Sequence, residues 1–314
     1  MSLCIIATWF GKLPGYFNLW LKSAGLNQQI QFLVFTDHVY MGYVPDNVNI
    51  VRTQLARLEE LASDKLDTPV RLKHPYKLCD LRPAYGLVFS EYLQGCTHWG
   101  HCDLDMVWGD LGRFITPQML EEHDRVLVHG HLSIYRNDDM ANRYFMLDTP
   151  GIDWRHILQC GWPHNFDEEC GMSSICRRHG IREYRSTCMA DIRTKHYKFL
   201  ICHRENYAHQ AFCWSNGRVL RYYENGDGAI ECDEHAYIHF QKRGPIPVLG
   251  DLESCLAVWI TPYGFVCADF PDLVDTTFLD VMNPAHSMAH SWAWHKRCLT
   301  TMWQNQLFKL QHRR

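Results

Sequence analysis

Cys102-Asp103-Leu104-Asp105 closes a short apolar segment and opens a turn, inside Thr97-His98-Trp99-Gly100-His101-Cys102-Asp103-Leu104-Asp105-Met106-Val107-Trp108. Asp-x-Asp at a strand end sets two carboxylates close together beside exposed backbone. Such a pair is a hard oxygen site for a divalent cation, Mn²⁺ or Mg²⁺, that also holds phosphate oxygens. A metal-bridged nucleoside diphosphate is its natural ligand. Two further segments carry matching residue types. In Tyr237-Ile238-His239-Phe240-Gln241-Lys242-Arg243, His239 ends a strand and can supply an imidazole ligand. Lys242 and Arg243 can offset diphosphate charge. In Tyr76-Lys77-Leu78-Cys79-Asp80-Leu81-Arg82, the residues Lys77, Asp80 and Arg82 can share one end of a helix near the nucleotide. Each of these residues alone also suits a core histidine or a charged helix face.

The elements that must position them are legible in the hydrophobic pattern. Leu3 to Trp9 is a continuous apolar run, as in a parallel strand covered on both faces. Phe17, Trp20, Leu21 and Ala24 recur at helical spacing. Ile30 to Phe35 is a second buried strand, ending at Thr36-Asp37, and Val48 to Val51 a third. Strand, helix, strand in this order is a βαβ unit and predicts an α/β fold with a mostly parallel sheet. Ligands of such sheets bind at the carboxyl ends of the strands, where Thr36, Asp37, Asp103 and Asp105 all fall. Asp37 is placed to accept hydrogen bonds from a base or ribose, or to cap a turn.

A helix is predicted over Leu55 to Leu66, and another over Pro75 to Tyr92 with Pro83 as a kink or restart. Cys96 to Cys102 is the strand that delivers the acidic turn. Arg125 to His129 and Leu132 to Tyr135 are short strands, and Asp138 to Leu147 a helix. Residues 150 to 235 look rich in loops, with a turn at Gly226-Asp227-Gly228, before strands near Ala236 to Phe240 and within Leu256 to Cys267. The expected organisation is one catalytic domain over residues 1–250 and a C-terminal extension over 251–314. The end of that extension, His286 to Arg314, sets Trp292, Trp294, Trp303 and Leu307 among Lys296, Arg297, Lys309 and Arg313. It suits a helix packed on the domain or lying on an anionic membrane surface.

Composition narrows the classes. The chain has 314 residues, 46% hydrophobic and 21% charged, with a net charge of -4, so it lacks the basic footprint of a nucleic-acid binder. Its 14 cysteines form no CxxC pair, and Cys170, Cys176 and His179 lack standard zinc spacing. They read as reduced thiols. The N-terminus has no basic region before its apolar run, and no stretch approaches the ~20 apolar residues of a membrane span. A soluble, cytoplasmic protein is expected, with the inner face of a membrane as an alternative setting.

Taken together, the segments resemble GT-A fold glycosyltransferases of a bacterial family linked to surface-polysaccharide synthesis. The resemblance rests on Phe10 to Pro14, Phe32 to Asp37, Pro75 to Asp80, Trp99 to Asp105, Gly130 to Asn137, Phe166 to Glu168 and His239 to Arg243, in that order. It implies a Rossmann-like, GT-A-like domain with a C-terminal helical appendage. The pattern is also similar to glycosyltransferase family eight, where Asp-x-Asp precedes a Gly-Asp-Leu-like turn, here Gly109-Asp110-Leu111. That likeness implies His239 as third metal ligand beside Asp103 and Asp105, and Lys242 on the diphosphate. The chain departs from family eight in the residues that follow its histidine, which leaves Lys242 and Arg243 as alternatives. The implied donor is a nucleoside diphosphate sugar, UDP-linked by preference, and the acceptor a glycan or lipid-linked glycan. Asp167 and Glu168 are candidates near the acceptor, as base or as orienting group. His131, in Gly130-His131-Leu132-Ser133, is a candidate for lining the sugar pocket. The competing readings are a sugar nucleotidyltransferase, for which Thr8-Trp9-Phe10-Gly11-Lys12 is a poor phosphate loop, and a non-enzymatic zinc-binding module.

Overall fold

The computed structural model describes residues 2–241, 243, 246–252 and 254–285. Lys242 and the aromatic and basic segment 286–314 lie outside them. The chain divides into two compact units after Cys188.

The first unit runs β1 (Leu3–Trp9), α1 (Phe17–Gly25), β2 (Ile30–Thr36), β3 (Val48–Arg52), α2 (Leu55–Leu66), α3 (Leu78–Leu81) and α4 (Tyr85–Val88). It continues with β4 (His98–Cys102), β5 (Met106–Trp108), α5 (Pro117–Glu122), β6 (Arg125–His129), β7 (Leu132–Arg136), α6 (Trp154–Gln159), α7 (Met172–Arg178) and β8 (Glu183–Tyr184). Seven strands form one sheet in the order β3-β2-β1-β4-β7-β6-β8. β3, β2, β1 and β4 are parallel, and β7 turns the sheet antiparallel. This is the mixed α/β architecture that the βαβ pattern predicts.

Both faces of the parallel half are covered. On one, Ile6, Leu33 and Phe35 join Leu58, Ala62, Tyr85 and Phe89 in a single core. Phe35 stacks on Phe89 with ring centroids 4.2 Å apart. On the other, Trp20 of α1 meets Phe32 at 5.6 Å and Trp108 of β5 at 6.1 Å. Side chains alternate across a strand, so a sheet buried on both faces requires the nearly continuous apolar runs of β1 and β2.

The predicted Pro75–Tyr92 helix is broken into α3 and α4, flanked by tight turns at Pro75–Lys77 and Arg82–Ala84. Pro83 has no N–H to donate back along the helix, so the α-helical ladder cannot pass it. Asp138–Leu147 is likewise shorter than predicted, a tight turn over Ala141–Met146.

The second unit contains β9 (Ala190–Asp191), β10 (Gln210–Ser215), β11 (Arg218–Glu224), β12 (Ile230–His235), β13 (Tyr237–His239), β14 (Val248–Leu249), β15 (Ala257–Thr261), β16 (Gly264–Cys267) and α8 (Thr276–Met282). A six-stranded sheet has the order β12-β11-β10-β15-β16-β14. Its antiparallel β10–β11–β12 meander replaces the expected loop-rich stretch. Asn216 and Gly217, with φ of 49° and 77°, make the two-residue turn between β10 and β11. β15 pairs with β10, so residues 257–261 of the expected C-terminal extension belong to a sheet begun before residue 250. Among the described residues no helix is long and apolar enough to cross a membrane.

Candidate active site

The acidic turn leaves the carboxyl end of β4, a central strand paired in parallel with β1. The backbone N–H of Asp103 donates to the carbonyl of His131 at 3.1 Å, tying the turn to the β6–β7 hairpin. Beyond the turn, Asn27 at the end of α1 accepts from Leu111 N–H and donates to the Gly109 carbonyl, both at 2.9 Å. Ser23 Oγ accepts from Trp108 N–H at 3.2 Å. The two carboxylates are therefore held on both sides by backbone bonds. Their charges, after burial, push the hydroxyl of the buried Tyr16 upward. Tyr16 is a neighbour of the turn that the sequence motifs did not single out.

Arg82, between α3 and α4, is the hub of the first unit's site. Its guanidinium donates to Asp103 Oδ1, to Asp167 Oδ2 at 2.8 Å and to the Gly130 carbonyl at 2.7 Å. Burial opposes the charge on Arg82, but the Asp103 and Asp167 carboxylates outweigh it and hold the guanidinium firmly protonated. Asp167 is buried, at 1% exposure. Burial pushes its carboxyl up to about 7 even with Arg82 pulling the other way. Arg125, fully buried at the start of β6, donates to the backbone carbonyl of Asp167 at 3.2 Å and to Glu183 at 2.9 Å. Glu168 lies against Gly130, where an added Cβ would come within 3.0 Å of its carboxylate. A side chain at 130 would collide with the candidate acceptor residues. His131 follows that glycine, and the His129 and His131 rings are 5.1 Å apart and nearly parallel. One end of the sheet thus gathers Asp103, Arg82, Asp167, Glu168 and His131.

Lys77 and Asp80 occupy a different place from the nucleotide contact the sequence suggests. Both are buried, at 1% and 0% exposure, and paired at 2.6 Å. Lys77 Nζ also donates to the carbonyls of Ile157 at 2.7 Å and Trp162 at 2.8 Å. Asp80 accepts from the backbone N–H groups of His164 at 2.8 Å and Phe166 at 2.8 Å. The pair is committed to the segment that leads into Asp167. Both side chains are buried against residues 157–166.

Asp37, at the end of β2, accepts from Gly11 N–H at 2.7 Å and fixes the loop after β1. Gly11 has a φ of 101°, open to glycine. Thr36 is buried, and its Oγ1 accepts from His38 N–H at 3.2 Å. Both residues shape the strand end, the turn-capping alternative.

In the second unit, His239 ends β13 and is 6% exposed. Its Nδ1 is 2.8 Å from Asp191 Oδ1, and Gln241 donates to the other Asp191 oxygen at 2.6 Å. Burial resists charge on Asp191, but the hydrogen bond from His239 and that from Gln241 hold its carboxyl below the ordinary value. A carboxylate that accepts from Nδ1–H holds the ring in the tautomer whose Nε2 carries no proton and is open to act as an acceptor or donor atom to a cation. Asp103 and Asp105 are carboxylates of the first unit and His239 is an imidazole of the second, each a donor type that suits a divalent ion. Arg243 is engaged otherwise. It donates to the carbonyls of Tyr197 at 3.1 Å, Arg193 at 3.0 Å and His196, and lies over the Phe199 ring at 4.5 Å. Of the two diphosphate alternatives, Arg243 is thus a loop anchor, and Lys242 is outside the described residues. Cys176 is buried in the first unit's core, where burial pushes its thiol up to about 12, far from a thiolate ligand.

A model of one protein family matches residues 5–269, most of the chain. The chain belongs to a family of unknown function, DUF6625. No curated protein matches this DUF6625 chain. Among solved structures it is similar to an active-site mutant of LgtC, at 10% identity and a TM-score of 0.40, covering 77% of this chain and 88% of that one. It is similar to the galactosyltransferase LgtC crystallised with donor and acceptor sugar analogues, at 10% identity and a TM-score of 0.35, over 60% and 75% of the two chains. It is also similar to mouse xyloside xylosyltransferase 1, at 8% identity and a TM-score of 0.35, over 79% and 100%.

Proposed function

We propose that this DUF6625 chain is a metal-dependent glycosyltransferase. It moves a sugar, of hexosyl type, from a nucleoside diphosphate sugar, preferably UDP-linked, to a glycan or lipid-linked glycan acceptor. The observation that carries this reading is the acidic turn at the carboxyl end of β4, with Arg82 linking its first carboxylate to the buried Asp167. Strand ends of parallel sheets are where such ligands sit. Asp103, Asp105 and His239 would hold Mn²⁺ or Mg²⁺, and the Asp191 partner of His239 suits that role. When bound, the ion supplies neutralisation of the charge that builds on the departing diphosphate.

The transfer breaks the bond from the sugar's anomeric carbon to the diphosphate oxygen and forms one to the acceptor oxygen. The acceptor hydroxyl proton must leave. Asp167, with its carboxyl near 7, or the adjacent Glu168, would take or direct it. Family resemblance favours retention of configuration and surface-polysaccharide synthesis, and the composition and hydropathy pattern favour a cytoplasmic setting. The C-terminal segment would supply any contact with a membrane surface.

A donor screen tests the reading. Protein with Mn²⁺ is incubated with UDP-, GDP-, CMP- and dTDP-sugars, and released nucleotide is measured with and without chelator. Chelator-sensitive release from one donor, lost in Asp105→Ala while thermal unfolding is unchanged, is expected. Equal release by Asp105→Ala would remove the metal assignment.

A further inference from the structure

Arg82 places a fixed positive charge on a carboxylate that the proposed cation needs. The Arg82 side chain is 15% exposed, that of Asp103 25% and that of Asp167 1%, so the cluster is partly shielded from solvent. Two of its contacts are to carboxylates and the third to the Gly130 carbonyl. Arg82 cannot be neutralised, and its planar fork matches two oxygen acceptors at once. A divalent ion arriving at Asp103 meets a competitor already seated there.

We infer that Arg82 is a latch that competes with the divalent ion for Asp103. Without the ion, the Arg82 fork holds Asp103 and Asp167 in register and prevents the carboxylates from repelling each other. On loading, Asp103 exchanges the N–H of Arg82 for the ion, and Arg82 keeps Asp167 and the Gly130 carbonyl. The ion alone therefore binds more weakly than its ligand set would allow. This inference rests on the metal reading above.

The test is Mn²⁺ binding alone, measured by calorimetry or by the loss of free Mn²⁺ in electron paramagnetic resonance, on the whole chain. Three variants separate the causes. Arg82→Gln removes the competitor and is expected to tighten binding roughly tenfold, the scale of one charge a few ångström away in a partly screened site. Asp167→Asn turns the guanidinium wholly onto Asp103 and is expected to weaken binding several-fold. Arg82→Lys keeps the charge but not the fork, and should fall between wild type and Arg82→Gln. General damage to the site would weaken all three. Unchanged or weaker binding in Arg82→Gln overturns the latch. Lysine behaving as arginine also overturns it, because the field alone would then account for the effect. Should Arg82→Gln not fold, Asp167→Asn decides: binding as tight as wild type, or tighter, ends the proposal. Wild type that binds no Mn²⁺, or binds it as well after Asp105→Asn, removes the metal reading itself and the latch with it.

Discussion

Replacing Lys77 by Met should destabilise the first unit by about 3–5 kcal/mol, the cost of leaving one partner of a buried ion pair uncompensated. Asp80 is 0% exposed and would lose its only cationic partner among the described ion pairs, apart from a histidine 3.8 Å away. The carbonyls of Ile157 and Trp162 would lose donors as well. Met matches the length of the lysine stem, so little cavity cost is added. Asp80→Asn in the same chain should recover part of the loss. An amide oxygen still accepts from Phe166 N–H, and the buried negative charge is gone. The assay is urea unfolding followed by tryptophan fluorescence, with the slope checked for constancy. A donor titration accompanies it. A loss below about 1 kcal/mol together with a many-fold weaker donor affinity would refute the reasoning, because Lys77 would then be a ligand contact.

Asp167 carries a pH signature. Its folded carboxyl lies above the ordinary aspartate value, near 7, so the folded state binds this proton more tightly than the unfolded one. That contribution to stability is present at low pH and is lost as pH rises through about 7, with a limiting slope of about 1.4 kcal/mol per pH unit. Comparing unfolding at pH 5 and 7.5, Asp167→Asn should flatten this dependence; parallel curves would exclude it. Asp191→Asn should weaken Mn²⁺ binding about 10–100-fold, by loosening the ring of His239 rather than removing a ligand; metal titration decides. Gly217→Val puts a β-branched residue at a φ of 77° and should lower the unfolding midpoint of the second unit, a cost of about 1–2 kcal/mol. An unchanged midpoint would mean that the hairpin does not need its turn.

The parallel half of the first sheet was legible because burial on both faces leaves nearly continuous apolar runs, and Leu3–Trp9 and Ile30–Thr36, broken by Gln31, are such runs. The acidic turn was legible for the same reason: Asp103 and Asp105 interrupt a buried stretch. Lys77 and Asp80 misled because a charged pair three residues apart on a helix looks the same exposed or buried. Only the distant carbonyls and N–H groups of residues 157–166 show its role. The β10–β11 hairpin carried a local signal, Asn216-Gly217 between the apolar-rich segments Gln210–Ser215 and Arg218–Glu224, which the surrounding cysteines, histidines and arginines obscured. Arg125 and Tyr16 belong to no motif. Only tertiary contacts bring them to Asp167 and the acidic turn.

The register Leu3↔His98 has a kinetic consequence. β4 can pair with β1 only after more than ninety intervening residues have been closed into a loop, whereas the β1–β2 pair closes a much shorter one. Chain closure of that span is slow, and its entropy must be met before the contact stabilises anything. On a growing chain, β1 and β2 can join well before β4 exists, leaving β1 as an open parallel edge. The geometry of the acidic turn therefore depends on the longer of the two closures. Until β4 arrives, β1 presents an unpaired apolar strand edge, the kind of edge that invites pairing with another chain.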